Sequence, residues 1–329
     1  MALPHQFEGR LSLPLIAAPM FLASGPELVI ECCKAGVLGT LPALNQRSSE
    51  GFEQWLVQIK SALDEFEQRS GRAAAPFGVN LIVHGSNTRL EFDLALCAKH
   101  EVPLIITSLG AVSTVVDAVH DYGGLVFHDV VNAKHARKAS AVGVDGIIAV
   151  AAGAGGHAGH WSPFALINEI RQFFDKTLIL SGCLSTGQDI AAARLMGADL
   201  AYMGTRFLAT RESLIQAGYK QMLVDSGAAD IVHTPAISGV PASFLRASIE
   251  AAGIDLKTVE LPAHLDFGAE LADARDHDRK ISGPAKPWKD IWSAGQGVGS
   301  IRDIVATAEL VDRLREQYQH SRQRFLAAE

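Results

Sequence analysis

Eight short apolar runs alternate with longer amphipathic stretches over the first ~210 residues, and this alternation predicts a (β/α)8 barrel with a smaller, mainly helical second region. The runs are continuous rather than alternating, as strands buried on both faces require. An open doubly wound sheet is the alternative, but the first run ends in "AAPM" instead of a glycine fingerprint.

The runs, in order, are "PLIAAPM" (14–20), "LGTLPAL" (38–44), "FGVNLIV" (77–83), "PLIITSLG" (103–110), "LVFHDVV" (125–131), "GIIAVAA" (146–152), "TLILSGC" (177–183) and "LAYMGTRF" (200–207). Helical patterns lie between them, among them 25–36, 51–69, 88–100, 132–143 and 187–199. Gly36, Gly143 and Gly197 stand where a helix ends in a left-handed residue. Ser185 and Thr186 are candidate caps for the helix after the seventh run. After Phe207 the alternation stops. The predicted division is therefore a barrel over 1–212, a substrate or lid region over 213–300, and a C-terminal helix over 301–329 that packs back on the barrel. The middle region holds "ISGVPASFLR", "SGPAKPW" and "WSAGQGVGS".

Composition sets limits. The chain has 329 residues, 48% hydrophobic and 20% charged, with a net charge of −7. That is an ordinary globular balance, and no basic run is present, which argues against nucleic acid or an anionic membrane as partner. No run of ~18 apolar residues and no leader-like start occurs, so the chain reads as cytoplasmic. Its four cysteines, Cys32, Cys33, Cys97 and Cys183, form no metal pattern and read as free thiols. A homo-oligomer is compatible with all of this.

Barrel chemistry sits at the C-terminal ends of the strands. Those ends carry Ala18, Pro19 and Met20; Asn80; Thr107 and Ser108; His128 and Asp129; the stretch "VAAGAGGHAGHWSP" (150–163); Ser181, Gly182 and Cys183; and Gly204, Thr205 and Arg206. Small residues after the seventh and eighth runs leave backbone N–H groups accessible, which suits a phosphate cradle. Gly153, Gly155 and Ala158 fit a dinucleotide fingerprint, but Ser162-Pro163 marks the helix start, too late for that motif. The glycines instead let backbone pass over a flat ligand and present His157 as a base or donor. His157 and His160 have no third ligand nearby, so no metal is expected, and His160 reads equally well as surface.

At these residues the chain resembles the nitronate monooxygenases, formerly 2-nitropropane dioxygenases, which are FMN-dependent (β/α)8 barrels. The resemblance rests on "AAPM" (17–20), "PFGVNL" (76–81), "GAGGHAG" (153–159), "SGCLSTG" (181–187) and "GADLAYMGTRFLATRE" (197–212), with "ISGVPASFLR" and "WSAGQG" in the second region. It implies Ala17, Ala18, Pro19 and Met20 against the flavin ring, Asn80 on the isoalloxazine edge, and Gly155 and Gly156 beside the ring. It implies FMN phosphate held by Ser181, Gly182, Cys183, Gly204 and Thr205, and His157 as the base facing flavin N5. Thr107 and Asp129 complete the expected cofactor contacts. The implied reaction converts alkyl nitronates with O2 into carbonyl compounds and nitrite. The alternative is an FMN-dependent NAD(P)H reductase of quinones or enoyl thioesters.

Three positions depart from the family pattern: Cys183 replaces the second glycine of a pair, Asp129 stands where some relatives have lysine, and Ile82 where some have threonine. Phe21, Leu22, His233, Ser238 and Trp292 are candidates for the substrate wall.

Overall fold

The computed structural model describes residues 3–256 and 288–327. Eight parallel strands close into a barrel: β1 (Leu15–Ala17), β2 (Leu38–Pro42), β3 (Phe77–Ile82), β4 (Leu104–Ser108), β5 (Leu125–Val130), β6 (Gly146–Val150), β8 (Thr177–Ser181) and β9 (Leu200–Met203). Closure is made by β1 against β9, with Ile16 opposite Tyr202. Each strand coincides with one of the eight apolar runs.

Helices α1 (Pro26–Lys34), α2 (Ser49–Ser70), α3 (Leu90–Lys99), α4 (Ser113–His120), α5 (Ala133–Ala141), α6 (Pro163–Arg171) and α7 (Gly187–Leu195) fill the connections, and the short α8 (Thr205–Leu208) follows β9. Their ends obey local chemistry. Gly36, Gly143 and Gly197 all take positive φ after α1, α5 and α7. Ser162 precedes α6 with Pro163 in its first turn. Of the two candidate caps before α7 it is Thr186 that serves, in a reciprocal box with Asp189.

Between the barrel and the C-terminal helix lie α9 (Ala217–Asp225) and α10 (Arg246–Ala251), the expected helical content, and also β10 (Ile231–Thr234) and β11 (Ala242–Leu245). These two strands are an addition to the sequence expectation. They form a small antiparallel sheet with β7 (Gly156–His157), in the order β10-β11-β7. "ISGVPASFLR" supplies β11 and "WSAGQG" a loop beside it. "SGPAKPW" lies outside the described residues except for Trp288.

The helix α11 (Thr307–Leu326) packs along α7 and α1, burying Leu310, Val311 and Leu314 with Leu28, Cys32 and Ile190. Its approach is close. A Cβ on Gly187 would lie 2.2 Å from the Leu314 carbonyl oxygen, so only glycine fits there. Gln317 accepts a hydrogen bond from the Gly187 N–H at 2.9 Å. No helix among the described residues is long and apolar enough to cross a membrane.

Strand alternation divides the core. Ile16, Leu38, Leu104, Ile106, Phe127, Ile148, Ile179 and Leu200 fill the barrel interior, with Phe7 edge-on to Phe127 at 6.0 Å. Their sequence neighbours Ile105, Val126, Ile147 and Leu178, and Val79 on β3, face the surrounding helices.

Candidate active site

One cavity of about 1090 Å³ opens at the C-terminal ends of the barrel strands. The period-two geometry of each strand decides which residues reach it. Asn80 and Ile82 end the inward set of β3, Ser108 that of β4, Asp129 that of β5, Ser181 that of β8 and Tyr202 that of β9; all six line the cavity. Two expected residues fall on the opposite parity. Ala17 is buried with Leu15, Leu28 and Cys32 against the helices, and Thr107 is buried with its Oγ1 2.7 Å from His128 Nδ1. Neither lines the cavity. Ser108, one residue on from Thr107, does so instead, and the inward phase of Leu104 and Ile106 is the signal that identifies it.

The polar residues at the barrel top are connected. Asn80 Nδ2 donates to Ser108 Oγ at 2.8 Å and to the Ile106 carbonyl at 3.1 Å. Ser108 Oγ donates in turn to Asp129 Oδ2. Burial pushes the Asp129 carboxyl up to about 6, against the opposing effect of the Ser108 hydrogen bond. Burial, and then the charge of Asp129, push the Tyr202 phenol well up.

His157 is placed by the second region. On β7 it lies opposite Ala242 of β11, and Gly156 lies opposite Ser243. The Gly156 N–H donates to Ser293 Oγ at 2.7 Å, and Ser293 Oγ donates to the Ser243 carbonyl at 2.8 Å. The imidazole stands edge-on to Trp288, with ring centres 5.2 Å apart. Burial lowers its pKa to about 4, so the ring is neutral at neutral pH.

Ser181, Gly182, Cys183, Gly204 and Thr205 border the same cavity at the neighbouring ends of β8 and β9. Cys183 adopts φ +59°, the left-handed conformation that favours glycine. Its Sγ lies 3.6 Å from the Ala152 carbonyl and 3.9 Å from Gln296 Oε1. The loop 294–297 packs backbone to backbone on 153–155. A Cβ on Gly295 would sit 2.7 Å from the Gly153 oxygen, and one on Gly155 would sit 2.9 Å from the Gly295 nitrogen. Gln296 N–H donates to the Gly153 carbonyl and Gly295 N–H to Thr205 Oγ1. Thr205 therefore ties the second region to the barrel, a role its sequence position did not show.

Ala18, Pro19, Met20, Gly155, Gly156 and His160 also line the cavity. Of the wall candidates, Phe21 and His233 reach it; Leu22, Ser238 and Trp292 do not. Trp292 stacks on Tyr219 at 4.8 Å, and it is Tyr219 that faces the cavity. Ser293, Gly295 and Gly297, within "WSAGQG", and Trp288, at the end of "SGPAKPW", also line the cavity, although none was singled out as a site residue. Among the described residues no cluster of metal-ligating side chains occurs.

Comparison with known proteins gives a consistent picture. A family model described as nitronate monooxygenase matches residues 86–317. A curated nitronate monooxygenase from Paraburkholderia phytofirmans is 29% identical over 344 residues, covering 94% of this chain and 93% of that protein. A (3aS,4S,5R,7aS)-5-hydroxy-7a-methyl-1-oxo-octahydro-1H-indene-4-carboxyl-CoA dehydrogenase from Rhodococcus jostii is 27% identical over 72% of this chain. That match spans 63% of the dehydrogenase, under two thirds of its length. Among solved structures, nitroalkane oxidase from Streptomyces ansochromogenes superposes with a TM-score of 0.78 at 24% identity, over 97% of this chain and 99% of that one. FabK from Thermotoga maritima gives 0.78 at 21% identity, over 97% and 96%. At these identities the two structures establish the fold.

Proposed function

The chain belongs to the nitronate monooxygenase family and is a flavin-dependent oxidoreductase, and on that premise we propose that it is an FMN-dependent enzyme oxidising alkyl nitronates with O2 to carbonyl compounds and nitrite. The observation that carries this reading is the placement of His157. Its strand pairing suspends a neutral imidazole over the same cavity that the loops after β8 and β9 border.

The residues present fit a flavin nucleotide. The cavity, at about 1090 Å³, lies just above the ~300–1,000 Å³ typical of ligand sites. The nearest atoms to a Cβ on Gly204 would be those of Met20 and Ala18, at 3.6–3.7 Å, and one on Gly156 would meet nothing within 4 Å, so both positions leave room for a ring. Ala18, Pro19 and Met20 would form the apolar wall under it, with Gly155 and Gly156 beside it. Ser181, Gly182, Cys183 and Gly204 would surround the phosphate, with Thr205 fixing the loop above. Asn80 and Asp129 would meet the ring edge through the Asn80–Ser108–Asp129 row. When bound, the flavin supplies the redox chemistry, taking electrons from the nitronate and passing them to O2.

The protein's part is to hold the anion and control its proton. A neutral His157 donates an N–H to a nitro oxygen of the nitronate and takes up a proton only as the substrate's charge raises its basicity. An imidazole of pKa about 4 is a weak base toward a neutral nitroalkane, so preformed nitronate is the favoured substrate. Tyr219, His233 and Ser293, which line the cavity, would form its substrate-side wall.

Purified protein should show flavin absorption bands, release FMN on denaturation, and form nitrite from propyl nitronate in air. Rapid anaerobic bleaching by NADH or NADPH, without nitrite formation from nitronate, would overturn the assignment in favour of a reductase of quinones or enoyl thioesters.

A further inference from the structure

The polar row at the barrel top runs in one direction. Asn80 uses both N–H bonds of its amide, one on the Ile106 carbonyl at 3.1 Å and one on Ser108 Oγ at 2.8 Å. The Ser108 hydroxyl proton is thereby left for Asp129 Oδ2. Each donor in the row points toward the Asp129 carboxyl, and the row stops there. Among the described residues Asp129 Oδ1 accepts no hydrogen bond and no cation pairs with either oxygen. Asp129 is also the one carboxylate among the described residues that line the cavity.

The groups around it bring no compensating charge. Across the barrel top on β9 stands Tyr202, whose phenol is pushed well up and stays neutral. On β6, the residue opposite Asp129 is Ile148, which carries no charge. His157 shares the cavity and is neutral, and so is His128, which burial lowers to about 4 and which turns to Thr107. His135 and Lys138 of α5, with His160 and His233, border the same cavity, and none of them offsets the effect of burial on Asp129. With its carboxyl raised to about 6, Asp129 is ionised at pH 7 but holds its charge weakly. A second negative charge beside it would raise it again.

The inference from this rests on the flavin reading above, which sets the ring edge against the Asn80–Ser108–Asp129 row. Full reduction of a flavin adds two electrons and one proton that the ring always keeps. A second proton is kept only where the surroundings disfavour an anionic ring. We propose that Asp129 couples reduction of the flavin to uptake of that second proton, which the carboxyl and the ring share, so that the two never carry negative charge together. Interacting acids titrate as a pair, so the proton belongs to both. It enters from solvent with the electrons and leaves as they pass to O2, which restores the carboxylate. Ser108 is the positioning residue: its hydroxyl favours the ionised carboxyl and so limits how long the proton is held.

The test is potentiometric titration of the flavin-loaded protein with dithionite and mediator dyes from about pH 5 to 10, read by flavin absorbance. The pH slope of the midpoint counts protons taken up per two electrons. That count should be two at low pH and fall to one above a break. The wild-type break should lie about one pH unit or more above that of Asp129→Asn. Ser108→Ala removes the donor to the carboxylate, so its break should lie above the wild-type one, a rise that lost packing would not produce. The proposal is overturned if wild type and Asp129→Asn break at the same pH, or if Ser108→Ala leaves the break unmoved or lowers it. Should Asp129→Asn fail to retain flavin, the Ser108→Ala comparison decides alone. The titration uses no nitronate. The expected proton counts without nitrite formation would leave this role of Asp129 standing and remove the nitronate reading, whereas a protein that binds no flavin removes both.

Discussion

The lower and upper halves of the barrel are built from the same strands and follow opposite rules. A single residue of β5 separates Phe127, wholly buried in hydrocarbon, from Asp129 in a hydrogen-bonded polar row. On β4 the step from Ile106 to Ser108 does the same, and on β9 the step from Leu200 to Tyr202. The floor is stabilised by area removed from water and by close packing. The mouth forgoes that stabilisation, since each polar group there must find a partner or shift its pKa. One continuous sheet thus separates stability from chemistry by one inward-facing residue per strand.

Substitutions can break or sharpen this contrast. The largest effect is expected on the floor. Phe127→Ala should lower unfolding free energy by about 3–5 kcal/mol in urea titration while the folded fraction keeps its flavin spectrum. A loss below about 1 kcal/mol would mean the floor is not the stabilising half. At the mouth, His157→Ala should keep fold and colour but slow nitrite formation from neutral nitroalkane by about 100-fold. With preformed nitronate the loss should be smaller, and equal losses would argue against proton transfer by this residue.

Ser293→Ala comes next. It leaves the Gly156 N–H without its hydroxyl acceptor and should cost about 1–3 kcal/mol, with a fall in kcat as the His157 strand loosens. An unchanged kcat would show that β11 alone holds the strand. The smallest effect concerns pH. The Asp129 carboxyl is raised to about 6, so lowering the pH from 7 to 5 adds its proton and removes a negative charge from the cavity. Nitronate KM should fall a few-fold over that interval, and Asp129→Asn should abolish the dependence. His157, near 4, stays neutral throughout the same interval and does not contribute.

Much of this was legible in the residues. Eight apolar runs gave eight strands because a strand covered on both faces admits no polar alternation. Helix ends at Gly36, Gly143, Gly197 and Ser162-Pro163 were legible because caps are local chemistry. The cavity lining was legible as a set of strand ends, and His157 and the small residues after β8 and β9 do converge on one cavity. Which member of an adjacent pair points inward was harder. Ala17 and Thr107 were expected in the cavity and fall on the other parity, Ala17 packed with Leu28 and Cys32 and Thr107 hydrogen-bonded to His128. A one-residue change of phase reverses the face, and a continuous apolar run carries no mark of phase.

The sequence by itself determined the barrel, its strand order and the end of it on which the cavity opens, because periodicity and caps depend on residues close together in the chain. Only the tertiary structure decided how His157 is held. Its strand pairs with β11, some 85 residues later, and is fixed by Ser293 and faced by Trp288, more than 130 residues away. A two-residue strand has no period to detect, and its partners are specified by a backbone ladder that any side chains can share. Folding brings those distant segments together, and the burial they impose is what keeps the imidazole neutral.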